Sequence, residues 1–282
     1  MLQAEHPSNN GTSSNHTNTT STKAQTTGDD PVILLHSSLS NRQQWSVLTQ
    51  TFNKPIALDL LGYGQSPMPK KSRVEFCLAD ELTILEETLT EQNTALFQQP
   101  FHLVGHSYGA AVSLQIAKRY PDKILSLSLF EPVAFHLLEE NSPALAEIQQ
   151  ISQVINTFLA QDDIPAATAY FIDYWNQPGT FERLSQNTQK QFLKGINKVA
   201  YDFHALLHEK TQLSELSHIQ CPVQLLEGRH SPITTRTVIS ALAKHFPKAD
   251  IHRLDCGHMG PITHAHLVNP VITEFIAAHN KA

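Results

Sequence analysis

From Pro31 onward, short runs of consecutive apolar residues alternate with longer stretches in which apolar residues recur at helical spacing. A continuous apolar run of ~4–8 residues reads as a strand buried on both faces, whereas a 3.6-residue recurrence reads as a helix with one buried face. On this basis strands are predicted at Val32–Leu35, Pro55–Leu60, Phe101–Gly105, Ile124–Phe130, Pro222–Leu226 and Ile251–Leu254. Helices are predicted over Asn41–Phe52, over 76–96 (where Leu78, Leu82, Leu85 and Leu89 keep the spacing), from Gly109 to Arg119, and near 234–246 and 264–279. The rhythm breaks at Pro132. From there to His218 only helical periodicity is found, around Val154 and Phe158 and again around Phe171, Tyr174 and Trp175.

Strands that alternate with helices imply βαβ units and a parallel sheet. The pattern therefore predicts an α/β core made of residues 31–131 and 219–282, interrupted by an all-helical segment, residues 132–218. Residues 1–30 are Ser-, Thr- and Asn-rich. Such a composition cannot bury enough apolar surface to offset the entropy of ordering, so a disordered tail is expected. Its Asn10, Asn15 and Asn18 sequons arise readily by accident in that composition.

Composition narrows the function classes. Hydrophobic residues make up 40 % of the 282-residue chain, enough for a sizeable core, and the net charge is −6. A net negative charge argues against nucleic acid or an anionic membrane as partner. No run of ~18 apolar residues is present, so no membrane span is expected. The first thirty residues lack the cationic start and apolar middle of a secretory signal, and the expected location is cytoplasmic. Cys77, Cys221 and Cys256 show no metal-like spacing and no nucleophile's context, so they read as small buried or half-buried side chains in a reducing compartment. No Gly-rich phosphate loop and no metal cluster is found, and no cofactor is expected.

The chemistry centres on Gly105-His106-Ser107-Tyr108-Gly109, where an apolar strand passes at once into a helix-forming segment. This is a nucleophile elbow: a tight, strained turn that lifts the Ser107 hydroxyl out of the sheet edge and points a helix N-terminus at the reaction site. A serine hydroxyl is a poor nucleophile at neutral pH and needs a base, itself oriented by a carboxylate. His258 is the candidate base. It follows Gly257 in a loop directly after the last strand, at the carboxyl edge where ligand sites of open α/β sheets lie. His102, His230, His264 and His266 read as ordinary solvated histidines, and His106 as a packing residue inside the elbow.

Four segments together resemble the α/β-hydrolase superfamily: His36-Ser37-Ser38 after the first strand, Asp59 to Ser66, the elbow, and Asp255 to Pro261. The resemblance runs from Pro31 to the C-terminus, with the helical insertion in the place of that family's cap. It implies an α/β-hydrolase fold whose N-terminal hairpin strands are missing, leaving about six parallel strands. It also implies an oxyanion hole formed by the backbone amides of Ser38 and Tyr108, with Ser37 replacing the family's usual Gly.

The acid departs from the family pattern. The usual Asp after the penultimate strand is replaced by Ser231 in Gly228-Arg229-His230-Ser231. Glu131, at the end of the strand beside the nucleophile strand, is the preferred substitute, because a carboxylate at the tip of a buried strand needs a partner and a histidine is one. Glu227 is the alternative, and pairing of Glu131 with Arg229 is the bland reading. Substrate contacts are expected from His36, Phe171, Tyr174, Trp175 and Met259, with Phe181 a further aromatic of the insertion. These features imply a serine hydrolase, carboxylesterase-like, acting on an ester or a related acyl or C–C bond of a small apolar molecule. The competing class is a ligand-binding or degenerate protein of the same fold.

Overall fold

The computed structural model describes residues 30–91 and 99–280. The expected disordered tail therefore falls, but for residue 30, outside the described residues, as do residues 92–96 of the expected long helix. Six strands form one parallel sheet: β1 (Val32–Leu35), β2 (Pro55–Leu58), β3 (Phe101–His106), β4 (Ile124–Phe130), β5 (Val223–Gly228) and β6 (Asp250–Leu254), in the order β2-β1-β3-β4-β5-β6. The α-helices are α1 (Leu78–Glu91), α2 (Tyr108–Arg119), α3 (Pro143–Ala160), α4 (Ile164–Trp175), α5 (Thr180–Arg183), α6 (Gln186–Leu207), α7 (Ile233–His245), α8 (Gly260–Thr263) and α9 (Ala265–Ala278). None of the described helices is long and apolar enough to cross a membrane.

Period-two alternation divides each strand between two cores. In β1, Ile33 and Leu35 join a cluster with Leu103, Leu127 and Leu225, while Val32 and Leu34 join another with Val104, Phe130 and Leu226. The first cluster is covered by α1, α2 and α7, and the second by α9 through Val268, Ile272 and Ile276. Helices on both faces explain why the inner strands are buried on both faces, whereas the edge strand β6 is largely exposed. Between β4 and β5 the chain runs through α3 to α6. Their Ile148, Ile155, Phe171, Ile196 and Phe203 continue the first cluster, so the apolar core runs unbroken from the sheet into this segment.

One helix expectation is corrected. Asn41–Phe52 folds as two 3-10 turns, Arg42–Trp45 and Leu48–Thr51, each long enough only to bury one residue, Trp45 and Leu48, in the second core. The expected C-terminal helix is present as α9, with His264 (φ −132°, ψ 40°) as its N-cap, separating it from the short α8.

Strand order places the site. β2 and β3 lie on opposite sides of β1, so the chain reverses its direction of travel across the sheet there, and a crevice opens outside the carboxyl ends of β1 and β3. Register aligns those ends: Leu35 pairs with Gly105, His106 with Phe130, and Phe130 with Leu226. The loops that follow β1, β3, β4 and β6 carry Ser38, Ser107, Glu131 and His258 to one edge.

Candidate active site

Ser107 occupies the turn from β3 to α2 with φ 55° and ψ −117°, outside the regions an L-residue ordinarily adopts. The turn is possible because its flanks are glycines. A Cβ on Gly105 would lie 2.5 Å from the Cα of Ala110, and one on Gly109 would strike the His36 carbonyl oxygen. The Ser107 amide donates to Phe130 O at 2.9 Å, tying the elbow to β4.

His258 spans the gap between Ser107 and Glu131. Its Nδ1–H donates to Glu131 Oε2 at 2.6 Å, and its Nε2 accepts from Ser107 Oγ at 2.9 Å. Glu131, fully buried at φ 43°, accepts a second hydrogen bond on Oε1 from the Gly228 amide at 2.7 Å. Its two carboxylate oxygens are thus satisfied by the base and by the end of β5, not by Arg229. The other candidate acid, Glu227, faces away and accepts from Arg253 Nε at 2.6 Å. Ser231 is buried next to this site with its hydroxyl unpartnered.

The histidines of the site divide into distinct roles. His106, expected to pack inside the elbow, is buried, and its Nε2–H donates to the His258 carbonyl at 2.9 Å, holding the loop that carries His258. Burial, reinforced by the neighbouring His258, holds the His106 imidazole well below the ordinary histidine range. His102, expected in solvent, is instead buried and bonded to Ser126 Oγ and Asn280 Oδ1. His36 was expected to touch substrate but is turned into the core. Its Nε2 accepts from the Leu60 amide at 3.0 Å and its Nδ1–H donates to Ser37 O at 2.7 Å, and burial lowers its pKa to about 4. It fixes the loop after β1 instead of lining the cavity.

A cavity of about 260 Å³ opens beside Ser107 and His258. Ser37 and Ser38 close it on the sheet side; Phe171, Trp175, Leu184 and Phe192 come from the helical segment; Met259 and Ile262 complete the wall. No charged side chain lines it. Trp175 lies over the base, with its ring centroid 4.3 Å from that of His258. Tyr174 is corrected out of the cavity: its hydroxyl bonds to Glu147 Oε1 (3.0 Å) and Thr234 Oγ1 (2.9 Å), because on a helix adjacent residues face different ways. Phe181 of α5 likewise is buried in the core rather than in the cavity wall. A larger groove of about 600 Å³ between α3 and the end of α6 is lined by Gln149, Asn156 and His208 among others and includes none of Ser107, Glu131 and His258.

Several residues at the site escape a sequence reading. Leu184, Thr188 and Phe192 recur every four residues, but Leu184 is extended backbone before α6, and periodicity does not separate residues facing a cavity from residues facing a core. A buried trio, Lys198, Glu81 and Asp202, lies behind the loops of Ser38 and Tyr108. Glu81 is 117 residues from Lys198, and an i,i+4 Lys–Asp pair on a helix ordinarily reads as a solvated surface pair. The cysteines are free, half-buried at 77 and 221 and buried at 256. Among the described residues no group of His, Cys, Asp or Glu side chains is arranged to hold a metal ion.

Comparison with known proteins agrees with this architecture. A pimeloyl-[acyl-carrier protein] methyl ester esterase of Methylococcus capsulatus is 27 % identical over 90 % of this chain and 98 % of its own length. A probable lysophospholipase of Arabidopsis thaliana, BODYGUARD 2, is 29 % identical over 44 % of this chain, and the match spans about a quarter (27 %) of that relative. The crystal structure of an enol-lactonase from Burkholderia xenovorans superposes with a TM-score of 0.70 at 18 % identity, covering 88 % of this chain and 92 % of the other. Residues 30–265 match the family described as alpha/beta hydrolase fold, and the chain belongs to that family.

Proposed function

We propose that this protein is a serine hydrolase that cleaves an ester, or a related acyl or C–C bond, of a small apolar substrate through an acyl-enzyme. The observation that carries this reading is the buried row Ser107–His258–Glu131, joined by hydrogen bonds of 2.9 and 2.6 Å at the mouth of an uncharged cavity. Ser107 Oγ attacks the substrate carbonyl carbon as its proton passes to His258 Nε2. Glu131 stabilises the imidazolium and keeps Nδ1 protonated, so that Nε2 is the basic nitrogen. Negative charge developing on the carbonyl oxygen is met by the amides of Ser38 and Tyr108. The latter is a first-turn N–H of α2, which has no acceptor within its helix. The tetrahedral adduct then breaks its bond to the leaving group, which takes the proton from His258. Water repeats the sequence with His258 as base, releasing the acid and restoring Ser107.

The absence of charge in the cavity wall favours an uncharged acyl group, since a buried ion without a partner would be costly. The methyl ester esterase among the relatives supports an ester as the bond cleaved. The helices between β4 and β5 act in this reading as a cap over the pocket.

The test is a panel of p-nitrophenyl esters of increasing acyl length together with a fluorophosphonate probe. Short and medium apolar esters are expected to turn over, and the probe to label the chain once. Ser107→Ala is expected to abolish both. Labelling that survives Ser107→Ala would remove the elbow from the mechanism, and a wild-type chain inert to probe and panel alike would favour the ligand-binding protein of the same fold.

A further inference from the structure

Behind the proposed oxyanion amides lies a buried charge cluster that the acyl-transfer steps do not use. Lys198 comes from α6, in the helical segment, yet its side chain is wholly buried. Its Nζ bonds to Asp202, one turn further along α6, and to Glu81 Oε1 of α1 at 3.1 Å. The rings of Tyr63, Phe76 and Tyr108 surround the ammonium with centroids 4.8–5.0 Å away. Both carboxylates are buried and both use their remaining lone pairs. Asp202 Oδ2 accepts from the hydroxyls of Ser38 and Tyr63, each at 2.6 Å. Glu81 accepts from the Tyr108 hydroxyl at 3.0 Å and the Leu61 amide at 2.9 Å.

Stability does not explain such a cluster. Taking an ammonium and two carboxylates out of water costs several kcal/mol per ion, and a well-packed apolar replacement is often as stable. Burial pushes the Glu81 carboxyl above its ordinary range against the pull of Lys198. Burial would also depress the Lys198 ammonium, yet Asp202 and Glu81 hold it above the ordinary lysine value. What distinguishes the cluster is where its hydrogen bonds end. One carboxylate holds Ser38, the other holds Tyr108, and these are the two residues whose amides face the oxyanion in the reading above. A single cation from the helical segment holds the two carboxylates to each other.

We propose that Lys198, Glu81 and Asp202 are positioning residues that set the spacing of the Ser38 and Tyr108 amides, so that α6 is coupled to the chemistry through the oxyanion site. This rests on the serine hydrolase reading. Oxyanion donors act only when aimed at the charge that develops in the transition state, so a small displacement lowers kcat while leaving ground-state binding nearly unchanged.

The decisive variants remove one hydroxyl each and leave every charge and both amides in place. Neither the Tyr63 nor the Tyr108 hydroxyl lines the cavity, so an effect of Tyr108→Phe reaches the substrate through Glu81, and one of Tyr63→Phe through Asp202 or the Ser38–Leu39 loop that its hydroxyl also touches. Tyr63→Phe and Tyr108→Phe are each expected to lower kcat on a p-nitrophenyl ester about tenfold, with KM within about twofold, and to slow fluorophosphonate labelling by the same factor. Lys198→Met, if it folds, is expected to lose about 100-fold. Rates are taken per titrated Ser107, below the melting temperature of each variant. A purely structural cluster would lower melting temperatures and leave these normalised rates at the wild-type value, and that result would overturn the proposal even if Lys198→Met fails to fold. A wild-type chain with neither turnover nor labelling would overturn the serine hydrolase reading and this inference with it.

Discussion

Glu131→Gln is the most informative single substitution at the site. It preserves shape and volume and changes only charge and donor pattern. In the native arrangement Glu131 accepts twice, from His258 Nδ1–H and from the Gly228 amide, at 2.6 and 2.7 Å. A glutamine has one acceptor oxygen and one donor nitrogen. If its oxygen keeps the Gly228 bond, its NH₂ group meets Nδ1 and drives the imidazole to the other tautomer, with Nε2 protonated and unable to take the Ser107 proton. If the oxygen turns to His258 instead, the NH₂ group opposes the Gly228 N–H and a buried donor pair is left unsatisfied, at about 1–3 kcal/mol. The imidazolium loses its counter-charge either way. By the general behaviour of such triads kcat should fall about 10⁴-fold, or roughly 5 kcal/mol of barrier. The assay is kcat for a p-nitrophenyl ester alongside the fluorophosphonate labelling rate, with the melting temperature as a control for folding. Combining Glu131→Gln with Ser231→Asp should restore part of the rate, because a carboxylate after β5 also approaches His258. Turnover within tenfold of wild type in Glu131→Gln would refute the role of Glu131 and leave an acid-free dyad.

Other substitutions separate neighbouring roles. Glu227→Gln breaks only a pair with the mostly exposed Arg253, so kcat should be unchanged and stability should fall by less than ~1 kcal/mol; a loss of rate comparable to that of Glu131→Gln would reverse the assignment. Trp175→Leu removes an aromatic face from the base and one wall of the cavity, and should lower kcat/KM about three- to thirtyfold while changing the ranking of acyl lengths; an unchanged ranking would return Trp175 to a packing role. Stability should fall as the pH drops below about 6.5, because burial lowers His36 and His136 to about 4 in the folded chain. The unfolded chain then binds protons that the folded chain refuses, at a cost of about 2 kcal/mol per residue at pH 5, and a urea midpoint that is flat from pH 7.5 to pH 5 would contradict this.

The sequence by itself determined the parts of this protein that depend on neighbours in the chain. Short apolar runs such as Val32–Leu35 and Phe101–Gly105 are too brief for helices and read as strands covered on both faces, and their alternation with helices leaves a parallel sheet as the solution. The elbow is equally local: Gly105 and Gly109 are needed within two residues of Ser107, so the motif is written contiguously. Glu131 and His258 were legible as a pair because strand ends map to one edge of a parallel sheet, and the strand order decides which ends are adjacent.

Tertiary structure alone decided how side chains turn and what they meet. Tyr174 and Trp175 are adjacent in sequence and equally aromatic, yet one bonds to Glu147 and Thr234 while the other lies on His258. That outcome depends on the rotation of α4 about its axis, which is set by packing against α3, α5 and α6. His36 sits in a family-like loop, but two backbone hydrogen bonds draw it into the core. Asn41–Phe52 shows local propensity overruled, since burying Trp45 and Leu48 needs only two short turns. Lys198, Glu81 and Asp202 are the extreme case. A lone Lys or Glu in a sequence is nearly always solvated, and burial becomes tolerable only when partners from α1, α2, α6 and two loops converge on the same few cubic ångströms. Such convergence is a property of the folded chain and leaves no pattern along it.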